Sequence, residues 1–335
     1  MKSRVVICVC LALAAMAVLV PSWSPRKVQA QNQALPAGSG GPPLSNPLKV
    51  ALLKWYIANT VPTEFRVGSQ PYGVAFDGQN IWTANFGDGT VSKMRTNDGA
   101  LVGTFSVGGV PLGIAFDGAS MWVTTAFGST ITKIRVSDGK VLGNFDVPGG
   151  SLGFPAFDGS NIWVTTAPGS GNGAINKVQA SDGKIVGTFA VGPNPDAVAC
   201  DGTNAWVTNG GNATVTKLRI SDGKLLGTFG VGLQPFGIAF DGANIWTANR
   251  GDGTVTKLRA SDGMVLGTFS PGTDPYLIAF DGENIWITGS EVSELRASDG
   301  KRLLLLATHT NSTGVAFDGA NVWIAGQNIN TIGKF

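Results

Sequence analysis

The chain has 335 residues, 43% of them hydrophobic and 14% charged, with 48 glycines and a formal net charge of +2. That length holds one large or two ordinary domains, and the apolar, turn-rich composition is that of a globular chain. A charge so close to neutral gives no argument for a nucleic-acid partner.

Residues 1–30 read as a signal peptide. Lys2 and Arg4 precede an apolar run from Val5 to Val20, and Val28-Gln29-Ala30 supplies a small-residue cleavage site. The run is shorter than the roughly 20 residues a spanning helix needs, so no membrane span is expected in the mature chain. This segment carries Lys2, Arg4, Arg26 and Lys27 and no acid, so its removal leaves 20 basic against 22 acidic residues, a net charge near −2. Cys8 and Cys10 leave with it, so Cys200 stands alone and the exported chain has no internal disulfide to hold it. Residues 31–47, QNQALPAGSGGPPLSNP, bury too little apolar surface to order themselves and read as a flexible linker. The product is exported, to the periplasm or beyond the cell.

From residue 48 to 335 the sequence implies one domain built of repeats. Asp-Gly pairs begin at Asp77, Asp117, Asp158, Asp201, Asp241, Asp281 and Asp318, at spacings of 40, 41, 43, 40, 40 and 37 residues. A tryptophan follows each by five residues: Trp82, Trp122, Trp163, Trp206, Trp246, Trp286 and Trp323. Units starting near 67, 107, 147, 191, 231, 271 and 309 have the period of propeller blades. In the fifth, PFGIAF, NIWTAN, GTVTKLRAS and MVLGTFSPG read as strands a, b, c and d, separated by turn residues. Strand a alternates small residues (Gly237, Ala239) with large ones (Ile238, Phe240), and strand b is apolar on both sides, as in sheets stacked radially on both faces. The fold class is therefore all-β, a seven-bladed propeller of four-stranded antiparallel blades.

The seventh unit stops at Phe335 without a strand d. The segment PTEFRVG, residues 62–68, matches the GTFSVG that closes other units, with Phe65 in the place of Phe105 and Val67 in the place of Val107. An N-terminal strand is thus expected to complete the last blade and remove an exposed edge.

The pattern VGxxPxGIAFDGxNIWxxNxGDGTVTKLRxSDGxxLGTF over residues 62–335 resembles the YVTN-type, YncE-like propeller repeat, and also the repeats of streptogramin lyases. The resemblance implies the propeller fold. The lyase likeness implies histidine-based acid–base chemistry with a metal, and a propeller by itself hosts many unrelated functions.

Recurrence separates scaffold from site. The seven Asp-Gly turns lack the ligand spacing of a calcium loop and read as turns, and the tryptophans read as inter-blade packing. Strand c carries Lys93/Arg95, Lys133/Arg135, Lys217/Arg219 and Lys257/Arg259, with Lys177 and Arg296 alone in their blades. Each pair points to one face, and the nearby acids Asp98, Asp138, Asp222 and Asp262 make these lysines and arginines a solvated, salt-paired rim, so nucleic acid is not expected as a partner. The tripeptide Arg250-Gly251-Asp252 resembles an adhesion signal, but Gly87-Asp88 occupies the same loop in blade one, so only Arg250 is local. Cys200 replaces a strand-a phenylalanine and reads as a small buried hydrophobe.

Variable positions are where a ligand can be told from scaffold. Tyr72, Leu112, Leu152, Asp196, Phe236, Tyr276 and Thr313 occupy similar places at the start of strand a, on the face of the d–a and b–c loops. Tyr72, Asp196, Phe236, Arg250 and Tyr276 are the candidate residues for binding a ligand or an envelope or extracellular protein, with the aromatics expected around the channel mouth. No cofactor is evident, and the chain is read as a monomer. The alternative is a metal-dependent lyase or hydrolase. Its base would be the single histidine, His309, with Glu291 and Asp274 on the same face, and a divalent metal such as magnesium enters only under that alternative.

Overall fold

The structure is a computed structural model that describes residues 63–272, 274–306 and 311–335; the signal-peptide and linker segments lie outside the described residues. Seven antiparallel sheets form the ring of a propeller. In blade five the strands are Pro235–Phe240, Asn244–Asn249, Thr254–Arg259 and Val265–Phe269, in the sequence-predicted order a to d. Strand a of each blade packs on strand a of the next, and the round closes where Pro71–Phe76 of blade one meets Ser312–Phe317 of blade seven. Blade seven runs Ser312–Phe317, Val322–Gly326, Thr331–Lys334 and then Thr63–Arg66, with Phe65 opposite Ile332. The N-terminal strand is the missing strand d. Among the described residues no helix is long and apolar enough to cross a membrane.

The repeated residues explain the blade. Asp241 Oδ1 accepts the backbone N–H groups of Ala243 and Asn244, which tightens the a–b turn, and Gly242 supplies its φ of +96°. The other oxygen, Oδ2, accepts the indole N–H of Trp246. The same indole–carboxylate bond recurs in all seven blades at 2.6 to 2.8 Å. Burial pushes the carboxyls of Asp158, Asp201, Asp241 and Asp318 up, but these hydrogen bonds outweigh it and hold them below the ordinary value.

With its one polar atom satisfied, the tryptophan can be buried. The core clusters join neighbouring blades, as where Trp82 and Val91 of blade one meet Met121, Val123 and Ile134 of blade two. Six tryptophans also face a phenylalanine of strand d at centroid distances of 5.4 to 5.8 Å. That phenylalanine reaches the next blade. A Cβ at Gly139 would lie 1.9 Å from the Phe105 ring, so the Gly of the Ser-Asp-Gly turn answers both to its φ of +73° and to this approach.

The strand-c cations divide where the sequence treats them alike. The arginines are salt-paired on the rim as expected: Arg95, Arg135, Arg219, Arg259 and Arg296 bridge to the aspartate three residues on, at 2.6 to 3.2 Å. The lysines differ, with one long ion pair, Lys133 Nζ to Asp117 Oδ2 at 4.0 Å. Lys93, Lys217 and Lys257 are buried, and six lysines stand over their cross-strand tryptophan with the nitrogen 4.8 to 5.4 Å from the ring centroid. Each ammonium then donates to a backbone carbonyl of the following blade: Lys93 to Val136, Lys133 to Ala180, Lys177 to Ile220, Lys217 to Ala260, Lys257 to Ala297 and Lys334 to Thr96, at 2.6 to 2.8 Å. Strand pleat puts both on one face and does not separate the two roles; the decisive difference is the neighbouring blade, which the repeat pattern alone does not display.

Two outcomes follow. Deleting residues 31–68 is expected to lower the thermal midpoint sharply by exposing the edge of blade seven, whereas deleting 31–46 leaves it unchanged; equal midpoints would contradict the closure. Lys217→Met is expected to cost about 2 kcal/mol in urea unfolding, from the lost cation–π and charged hydrogen bond. Arg219→Ala, two residues away on the exposed rim, should leave the urea midpoint little changed.

Candidate functional site

Inter-blade hydrogen bonds fix the start of strand a. Thr124, Thr165 and Thr208 of strand b donate their hydroxyls to the carbonyls of Gly153, Asp196 and Phe236 in the following blade, at 2.9 to 3.0 Å. Backbone anchoring of this kind leaves the side chains at these places free to vary. Around the ring the position is Tyr72, Leu112, Gly153, Asp196, Phe236, Tyr276 and Thr313. Leu152, the residue expected for blade three, is instead buried in an inter-blade core at 2% exposure. Blade three breaks its strand a into Ser151–Leu152 and Ala156–Phe157, and Phe154 between them supplies the inward ring. Counting back four residues from Phe157 finds Gly153 at this place, a signal the sequence does contain.

The aromatics meet at the centre. Tyr72 and Tyr276, from blades one and six, share a hydroxyl–hydroxyl hydrogen bond. Phe236 stacks on Tyr276 at 4.3 Å, Phe154 meets Phe236 edge-on at 5.6 Å, and Tyr72 lies 5.7 Å from Tyr276. Tyr72 and Phe236 also pack on a buried cluster that includes Phe154, Ala197 and Ile238. The aromatics expected around the channel mouth thus meet one another. Seven short inner strands converge on a narrow axis, and rings of this size reach one another across it.

The chain of rings continues outward. Tyr72 lies 5.4 Å from Phe86, and Phe86 lies 6.1 Å from Phe127, both in b–c loops. Phe127 is 80% exposed and borders a groove of about 320 Å³ that Val110, Thr125 and Asn144 help to line. Phe86, Phe127 and Phe154 are functional candidates that the sequence reading passes over, although Phe86 occupies the same variable loop place as Arg250 and Phe127 lies one residue beyond that place in blade two.

Charge gathers on the other side of the cluster. Arg250 stands over the Tyr276 ring, 5.4 Å from its centroid, and its Nε is 3.9 Å from Asp274 Oδ1. Asp196 is partly buried, and its carboxylate makes no hydrogen bond among the described residues. Gly210 leaves room for it, since a Cβ there would lie 2.9 Å from Asp196 Oδ2. Burial pushes the Asp196 carboxyl up to about 7, against the opposing pull of Arg250. The Tyr276 hydroxyl is pushed above its ordinary value by burial and then by Tyr72. The other four candidate binding residues therefore bear on Tyr276, either by contact or through its electrostatics.

The adhesion-like tripeptide resolves into two roles. Asp252 is scaffold: its Oδ2 accepts the Leu233 N–H and its Oδ1 the Thr254 hydroxyl, as Asp88 does for Ser69 and Thr90. Arg250 alone faces the centre. Cys200 packs at the edge of an inter-blade core, and burial pushes its thiol up to about 12, an unreactive state.

Of the residues of the lyase alternative, two lie among the described residues. Asp274 faces Arg250, while Glu291 lies against Gly272 beside Ser293. His309 lies outside the described residues. Among the described residues no group of three His, Cys, Asp or Glu side chains is placed to hold a metal.

No protein-family model and no curated protein matches the chain. Among solved structures it is similar to a catalytically inactive histidine-to-alanine variant of virginiamycin B lyase from Staphylococcus aureus, with quinupristin, at a TM-score of 0.70 and 20% identity. The match covers 82% of this chain and 98% of that one. What is shared at this identity is the propeller fold.

The Asp196 shift sets a pH dependence. Its folded-state carboxyl titrates near 7 against an ordinary value of 3.8, so the folded protein holds that proton more tightly. Its favourable share of stability is complete below the unfolded value and is lost as pH rises through the folded one. Asp196→Asn is therefore expected to raise the thermal midpoint by an amount that grows between pH 4 and 7 and levels off above. A constant difference across that range would contradict the shift.

Proposed function

We propose that the chain is an exported binding module that takes a ligand or a protein partner on the face of the d–a and b–c loops, centred on Tyr276. The observation that carries this reading is convergence: Tyr72, Asp196, Phe236, Arg250 and Tyr276 come from four blades, vary where the scaffold repeats, and bear on one ring. The face offers two chemistries side by side. Phe127, Phe86 and Tyr72 present flat apolar surface, and Asp196 and Arg250 present opposite charges. A fitting partner pairs a flat apolar group with a charge, the combination that anchors most binding energy in a few residues. The leader pattern of residues 1–30 supports a partner met in the periplasm or outside the cell.

The likeness to a lyase propeller supports a second reading, metal-dependent lyase or hydrolase chemistry with His309 as base. It comes second because Asp274 is engaged by Arg250.

Immobilised protein is expected to retain partners from an envelope extract, with retention reduced at least fivefold in both Arg250→Ala and Phe127→Ser. These exposed side chains can be removed without unfolding the ring. Undiminished retention by both variants would remove the proposed face. Under the second reading the protein would instead turn over a cyclic ester with added magnesium, and His309→Ala would abolish that turnover.

A further inference from the structure

The lysine–tryptophan pairing fails at one place, on the face opposite the candidate site. The cross-strand partner of Trp286 is Glu294, where the other six blades carry lysine: Trp82 faces Lys93, Trp122 faces Lys133, and Trp246 faces Lys257. Blade six thus inverts the charge at a conformationally identical position. Burial, with Asp281 and Glu283 nearby, pushes the Glu294 carboxyl above its ordinary value.

Two independent features accompany the change. The other six tryptophans are fully buried, but Trp286 is partly exposed, and among the described residues no cation stands over its ring. Asn284 also departs from its counterparts. Asn80, Asn161, Asn204, Asn244 and Asn321 each donate Nδ2 to the carboxylate of their turn aspartate, at 2.9 to 3.3 Å. Asn284 makes no such bond, and its Oδ1 is buried with no donor. An orphaned acceptor of this kind costs free energy unless something fills the site. The indole–carboxylate bond from Trp286 to Asp281 remains in place, 2.7 Å long.

Blade six therefore keeps the aromatic ring that carries an ammonium elsewhere and the turn carboxylate, which approaches that ammonium in blade two (Lys133 to Asp117, 4.0 Å); it adds a second carboxylate and an unpaired amide oxygen, has the Phe335 ring 6.5 Å from Trp286, and lacks the ammonium. We propose that the cleft formed by Trp286, Asp281, Asn284 and Glu294 receives a primary alkylammonium group from outside the propeller. The protein shows six times over what such a cleft accepts. An ammonium offers three donors and no acceptor, which suits two carboxylates and an amide oxygen, and its charge is attracted to the face of Trp286. Acetylation of the amine would remove both the charge and the fit.

The test follows the Trp286 indole N–H resonance of the whole protein, assigned through its loss in Trp286→Phe. The probes are pentylamine, the peptide acetyl-Gly-Lys-Gly-amide, and the same peptide with its lysine acetylated. Saturable shifts are expected from the first two and none from the third. Glu294→Gln should weaken binding at least fivefold, and Glu294→Lys should abolish it by filling the cleft from within. A lysine peptide binding at least tenfold more tightly than pentylamine identifies a protein partner as the source, whereas equal affinities identify a free amine. No shift from either amine, an equal shift from the acetylated peptide, or unchanged affinity in Glu294→Gln overturns the proposal.

Discussion

The ring depends on one composite contact: a tryptophan whose indole N–H is bound by a turn aspartate and whose ring carries a lysine that reaches into the next blade. Each part makes the next affordable. The aspartate satisfies the single polar atom of the indole, so the largest side chain in the repeat can be fully buried. The buried ring then stabilises an ammonium in a place where an unpaired charge would be costly, and the carbonyl of the following blade completes its hydrogen bonding. Since the last bond crosses a blade boundary, local folding and ring assembly are coupled through the same residues.

That coupling explains why the blade core tolerates little variation and the axis tolerates much. At the start of strand a, the contacts that matter between blades are made by backbone carbonyls and threonine hydroxyls. The side chains there are released from the scaffold, and they carry tyrosine, leucine, aspartate, phenylalanine and threonine around the ring. The axis is narrow, so residues far apart in sequence become neighbours: Tyr72 and Tyr276 are joined by one hydrogen bond. A symmetric scaffold thereby holds an asymmetric centre, aromatic towards Phe127 and charged towards Arg250.

Blade six shows how a departure from the repeat acquires meaning only through its siblings. A glutamate beside a partly exposed tryptophan is unremarked in most proteins. Here six equivalent positions hold a lysine, so Glu294, the partly exposed Trp286 ring and the unpaired Asn284 oxygen form one coordinated change. Likeness to a lyase of the same architecture does not bear on that cleft, because a common ring leaves both the axis and the rim free to diverge.

The period of about 40 residues, the Asp-Gly turns and the tryptophan five residues later determine by themselves that the described chain is a seven-bladed propeller, and the match of Phe65 to Phe105 determines how it closes. These are legible because hairpin turns and strand alternation are local, and because repetition multiplies a weak signal. The variable residues were legible as candidates for the same reason, by contrast with what repeats. Their arrangement was not. That Lys217 is buried while Arg219 is exposed, that Phe154 and not Leu152 enters the centre, and that Tyr276 collects four other residues were decided only by the tertiary structure. Each depends on the distance to another blade, set by how seven sheets pack about an axis, and no spacing along the chain encodes that distance directly.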